Sequence, residues 1–231
     1  ASSAWASVET ADIVAITTAQ WPRMASDDIA ALGSAQWAIM ATDDLMSLTP
    51  QQWAVVPAAN LRAMTTPQWS VLASDDLRGI TVAQWSSVDT ADLAGLTTAQ
   101  WPMMATDDLV GLTTQQWASL STASLNAVSD LQWRAMAIDD VNALTSTQWA
   151  SMATDDLVGL VAFQWQSVTS ANLNYVQPAQ WAKMATDDLR SLSTTQWSQI
   201  ETQDVNALGA SQWVRMDTND LAGLGTNQWS N

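Results

Sequence analysis

The large apolar residues of this chain fall at fixed intervals. Counting from any Trp as zero, apolar residues recur at +3, +8 and +11 before the next Trp at +16, as in Trp149, Met152, Leu157, Leu160 and Trp165. The gaps run three, five, three, five, so the underlying unit is an octad, and two kinds of octad alternate. Apolar residues three apart share one face of a helix, whereas a strand facing a core places them two apart. Each octad therefore predicts a helix. One continuous helix is excluded, because eight residues at about 100° each rotate the apolar stripe by roughly 80° per octad and wind it around the rod. The helix must break at every octad.

The break signals are in the polar residues. In Leu96-Thr97-Thr98-Ala99-Gln100-Trp101, Thr97 suits an N-cap, Gln100 at N3 closes a capping box, and Leu96 faces Trp101 as a hydrophobic staple. Gln precedes Trp at 14 of 15 sites, and the residue four before Trp is Thr, Ser or Gly at 12 of 15, a regularity that marks helix starts. The alternate octad opens with Thr or Ser five residues after Trp and Asp two residues later, as in Thr106 and Asp108. A carboxylate in the first turn interacts favourably with the helix dipole. Pro50 and Pro178 fall at N1, where the missing N–H costs nothing. Pro22 and Pro102 directly follow Trp and predict kinked, partly 3₁₀ or late-starting helices. Helices this short are unstable alone, so packing between octads must hold the fold.

The period predicts an all-α solenoid of very short helices, with 8-residue units paired into a 16-residue repeat. Its expected spine is the indole series Trp21, Trp37, Trp53, Trp69, Trp85, Trp101, Trp117, Trp133, Trp149, Trp165, Trp181, Trp197 and Trp213. The whole chain, 1–231, reads as a single array of about 14 coils of 16 residues. An internal duplication, 1–112 and 113–224, is suggested by matches such as Asp75-Asp76-Leu77-Arg78 with Asp187-Asp188-Leu189-Arg190. The position ten after Trp is Ala, Gly or Ser everywhere except Tyr175, which should let helices approach closely. If two octads close a turn, all indoles form one column; any other number splits it. Neither end carries a distinct capping repeat, so the expectation is a segment of a longer array or a unit that stacks end to end.

Composition narrows the chemistry. With no Cys and no His there is no thiol nucleophile, imidazole base or soft-ligand zinc site, and the chain is not expected to be an enzyme. Seven Lys and Arg against 23 Asp and Glu give a net charge of −16, which argues against nucleic acid as a partner. No apolar run reaches the roughly 18 residues of a membrane helix, so insertion is not expected. Seven adjacent Asp pairs are the only candidates for ion chemistry; Asp107 with Asp108 and Asp155 with Asp156 are weak Ca²⁺ candidates. Against this, neighbours at a helix start point apart and the EF-hand spacing is missing. Capping is the favoured reading. For the indoles, core packing is favoured over a row of half-exposed rings that stack on sugars.

The octad Leu-Thr-Thr-Ala-Gln-apolar, as in Leu96 to Trp101 and Ile16-Thr17-Thr18-Ala19-Gln20-Trp21, resembles the short-helix octapeptide arrays of large secreted or cell-surface bacterial adhesin-like proteins. The resemblance spans nearly the whole chain and implies an extracellular or cell-surface structural role. It supplies no catalytic residue and no cofactor. The expected function is an adhesive repeat scaffold, with self-association or a glycan or surface partner. The alternative is a carbohydrate-binding module using exposed Trp.

Overall fold

The computed structural model describes residues 2–229, with side chains from residue 4 onward. The described residues form twenty-six α-helices of four to six residues and three 3₁₀ helices, with no strand. Each octad is one helix of about a turn, then an extended residue that redirects the chain; Met40, Leu120 and Leu160 have ψ of 133°, 144° and 143°. No described residue needs a positive φ to make these corners.

The helix starts follow the capping logic in one octad and shift it in the other. Thr49, Thr81 and Thr113 are N-caps whose hydroxyls accept the N3 amide, while the N3 glutamine accepts the cap amide in return. Pro50 and Pro178 stand at N1. Pro22 and Pro102 convert their octads into 3₁₀ turns, Trp21–Arg23 and Trp101–Met103, which begin at Trp itself. In the alternate octads the cap lies one residue earlier than the hydroxyl suggests. Ala105 is the N-cap, Thr106 is N1, and Asp108 reaches back from N3 to the Ala105 amide. At this helix start the carboxylate alone does the capping, whereas Ser121 and Thr169 cap their alternate octads with hydroxyls.

Contacts divide the chain into two compact units, 1–120 and 121–231. Within the first, helix Pro50–Trp53 packs on Ser74–Gly79, and Val82–Trp85 on Thr106–Val110; within the second, Asp130–Ala135 packs on Thr154–Gly159, and Thr194–Gln199 on Thr218–Gly223. Each partner lies three octads along the chain. Hydrogen bonds also join helices of the Trp octads to the helix four octads away (below). A helix seated between its third and fourth successors belongs to a turn of three to four octads. The indoles therefore do not form one column as a two-octad turn would require. They converge from different sides of the turn.

That convergence builds the core. Trp21 through Trp197 are 0–1% exposed, and the Met, Leu, Ile and Val residues at +3, +8 and +11 are buried with few exceptions. Trp37 meets Trp53 at 5.8 Å and Trp69 meets Trp85 at 5.9 Å in the first unit; Trp149 meets Trp165 at 6.3 Å and Trp181 meets Trp197 at 6.5 Å in the second. Their planes are inclined by 40–53°, within the geometry that aromatic quadrupoles favour. The two pairs in the second unit lie 112 residues after the two in the first. Seven Trp repeats span 112 residues, and so do four turns at the spacing of 28 residues that the inter-turn bonds span. Trp register and position around the turn therefore return together.

Small residues at +10 let the turns close. A Cβ on Gly79 would stand 2.8 Å from Pro50 Cα and 2.9 Å from Trp53 Cβ; one on Gly223 would stand 2.7 Å from Trp197 Cβ. These glycines are required by proximity, since their φ values are ordinary.

Candidate functional site

The chemistry of the chain is concentrated in the N3 residue of every helix, which faces the preceding turn. In the Trp octads this residue is Gln. Its Oε1 accepts the amide of its own cap, as from Thr81 N to Gln84 at 2.6 Å. Its Nε2 then donates to two backbone carbonyls of the turn below, Trp53 O at 2.9 Å and Val56 O at 2.7 Å, which lie 31 and 28 residues earlier. The arrangement recurs at Gln52, Gln68, Gln100 and Gln116 in the first unit. It recurs at Gln164, Gln180, Gln196, Gln212 and Gln228 in the second. These side chains are 2–9% exposed, so the bonds form away from water. An amide side chain serves because it both accepts and donates; a carboxylate could cap but could not donate to a carbonyl.

In most alternate octads the N3 residue is Asp, and it can meet a donor instead. Asp76 takes the Ala73 amide on one oxygen at 2.9 Å and the Trp53 indole N–H on the other at 3.1 Å. Asp220 likewise bridges the Asp217 amide and the Trp197 indole. At several other sites the bond does not close. The indole nitrogens of Trp21, Trp37, Trp85, Trp149, Trp165 and Trp181 are buried without a hydrogen-bond partner, and both carboxylate oxygens of Asp204 are likewise unpartnered. Burial, joined by the smaller push of a nearby acid, raises the carboxyls of Asp92, Asp108, Asp140, Asp156, Asp188 and Asp204 to about 6. The cap amide opposes the rise at Asp92, Asp108 and Asp156.

The Asp pairs separate accordingly. Asp107 and Asp155 are not buried, while Asp108 and Asp156 turn inward and are 6% and 5% exposed. Their carboxylates face different surroundings, and among the described residues no group of three or more acids is placed to hold a metal ion. The expected spine, Trp21 through Trp197, lies in the core, and Trp213 is half-buried. Trp229 is 55% exposed and, with Asn206, Trp213 and Gln228, lines an open cleft of about 300 Å³.

A second ladder was not anticipated from the residues. At the position nine after Trp, Asn142 donates to Ser167 O at 3.1 Å and accepts from Thr169 N at 3.0 Å, so one amide ties two points of the next turn. Asn126 does the same with Ser151 and Ala153. In the first unit, Arg62 and Arg78 reach Ser87 O and Met103 O from this position. Its signal was available, since polar residues of varied charge at one register share only the ability to donate.

No helix among the described residues is long and apolar enough to cross a membrane. Comparison with protein-family models and with curated proteins finds no match.

Proposed function

We propose that the chain is an extracellular structural scaffold, a repeat array whose side-chain chemistry is devoted to joining one turn to the next and whose outer face serves adhesion or self-association. The observation that carries this reading is the repeated glutamine clamp. The polar groups that are buried and oriented, where an enzyme would place its catalytic set, bond backbone to backbone and recur along the array. Such a site is dispersed along the chain rather than gathered in a cleft. The resemblance to octapeptide arrays of surface proteins supports the same role and the exterior location. Electron microscopy of the purified chain tests it: filaments or ordered strings support a self-associating scaffold, and monodisperse particles that ignore surfaces and glycans argue against it.

The second reading, carbohydrate binding, draws on one place. Trp213 and Trp229, with ring centroids 6.2 Å apart, line the cleft described above and offer aromatic faces to a sugar. Trp229→Ala should abolish any glycan binding if that reading holds, because the other indoles from Trp21 to Trp197 are inaccessible.

A further inference from the structure

We propose that the inward-facing aspartates of the alternate octads are proton-operated clamps: each, on taking up a proton, directs the new O–H to a backbone carbonyl of the preceding turn, tightening the solenoid in mildly acidic surroundings. The inference concerns the solenoid itself and stands apart from the scaffold reading.

The chain contains a natural example of the inter-turn bond. Asn60 occupies the register that Asp fills elsewhere, and its Nδ2 donates to Leu32 O, 28 residues earlier, at 2.7 Å. Asn172 donates in the same direction to Asn142 O at 3.0 Å. A carboxylate at this position has no hydrogen to give. A carboxylic acid has one and otherwise matches the Asn amide in shape and acceptor capacity. At the Asn60 spacing, the acceptors for Asp76, Asp108, Asp188 and Asp204 are the carbonyls of Leu48, Ile80, Leu160 and Val176. The step is one proton taken from water, one O–H formed and one O–H···O=C bond made between turns.

The surroundings favour it. Asp76, Asp108, Asp188 and Asp204 are 1–9% exposed, and burying a carboxylate without a counter-ion disfavours its charged form. Asp76 has Asp75 beside it and Arg78 on its own helix, and the helix Pro50–Trp53 packed against it brings no charge. Asp108 has Asp107 beside it and Arg78 from the helix Ser74–Gly79; the packed helix Val82–Trp85 is uncharged. Asp188 has Asp187 and, at the end of its own helix, Arg190; the helix Ala162–Ser167 against it is uncharged. Asp204 has Glu201, and both helices packed on it, Pro178–Trp181 and Thr226–Trp229, are uncharged. The one ion pair within 4.0 Å among the described residues, Arg190 with Asp217, includes none of the four.

The folded chain holds these protons more tightly than the unfolded chain. Linkage then makes the stabilisation complete below the ordinary aspartate range and progressively lost as pH rises through about 6 for Asp108, Asp188 and Asp204.

The test is thermal unfolding of the full chain by circular dichroism from pH 7.5 to 4.5 at fixed ionic strength. The midpoint should rise by at least ~5 °C in acid, on the scale of a few degrees per kcal/mol for a chain of this size. The triple substitution Asp108→Asn, Asp188→Asn and Asp204→Asn should raise the midpoint at pH 7.5 and reduce the pH dependence, the remainder coming from Asp76, Asp92, Asp140 and Asp156. The outward-facing set Asp107→Asn, Asp155→Asn and Asp187→Asn changes net charge equally and should keep the dependence. A midpoint that falls or stays level in acid overturns the proposal. So does equal flattening by both triples, which would assign the effect to surface repulsion. Carboxyl NMR titration of the unsubstituted chain gives an independent readout: Asp204 titrating with the outward-facing aspartates would also overturn it.

Discussion

Replacing Gln84 isolates the contact that joins one turn to the next. The side chain is 9% exposed and makes three bonds to backbone, one to its own cap at Thr81 and two to the carbonyls of Trp53 and Val56. At about 1 kcal/mol net for each, Gln84→Ala should cost ~3 kcal/mol, and more if water cannot reach the abandoned carbonyls. Gln84→Glu keeps the cap but sets a carboxylate against those two carbonyls, so at pH 8 it should be worse than Ala; lowering the pH should recover much of the loss, because the protonated acid regains a donor. A long repeat array does not unfold in one step, so the informative assay is native-state hydrogen exchange at the amides of Thr81 and Trp85, which reads local opening directly. If Gln84→Ala opens this region by less than ~0.5 kcal/mol, or Glu is tolerated equally at pH 8 and pH 4, the clamp does not hold the turns and the reasoning fails.

Three further outcomes follow from the packing. Trp53→Ala should destabilise its neighbourhood by ~3–5 kcal/mol, since it empties a fully buried site and strips Asp76 of its indole donor; hydrogen exchange around residues 50–80 measures it. Gly79→Val should cost ~1–3 kcal/mol or more by forcing the helix Ser74–Gly79 away from Pro50 and Trp53, whereas Val at the exposed Ala83 should be nearly neutral. Tryptophan emission should be blue-shifted and largely insensitive to acrylamide, with the accessible fraction reduced in Trp229→Phe; wholly quenchable emission would contradict a buried core.

Much of this architecture is legible in the residues because each octad states its own start. The Thr-x-x-Gln box, the Trp after it and the small residue at +10 each have one physical use in a short packed helix, and the structure places them accordingly. Two things were harder to read. The alternate octads show a conspicuous Thr, yet the cap lies at the Ala before it, because Asp at N3 reaches the amide of a residue that needs no hydroxyl. The number of octads per turn is a long-range property that no local signal encodes; it is expressed only in which carbonyl the Gln amide meets. One clue was nonetheless present. A capping box accepts Glu or Gln, and the residue before Trp is Gln at 14 of 15 sites and never Glu. That choice makes sense when the far end of the side chain must donate. The sequence matches 112 residues apart are a second clue, since that interval holds whole numbers of both repeats and turns.

The central claim is that a turn holds three to four octads, so that the bonds between turns join residues 28 and 31 apart and successive Trp repeats lie on different sides of the turn. Paired nitroxide labels on the exposed, equivalent positions Ala83, Ala99 and Gln115 test it by electron paramagnetic resonance. With neighbouring helices about 8–10 Å apart, the account predicts that the 83–115 pair is the close one and the 83–99 pair lies across the turn at a longer distance. A shorter distance for 83–99 than for 83–115 would contradict it.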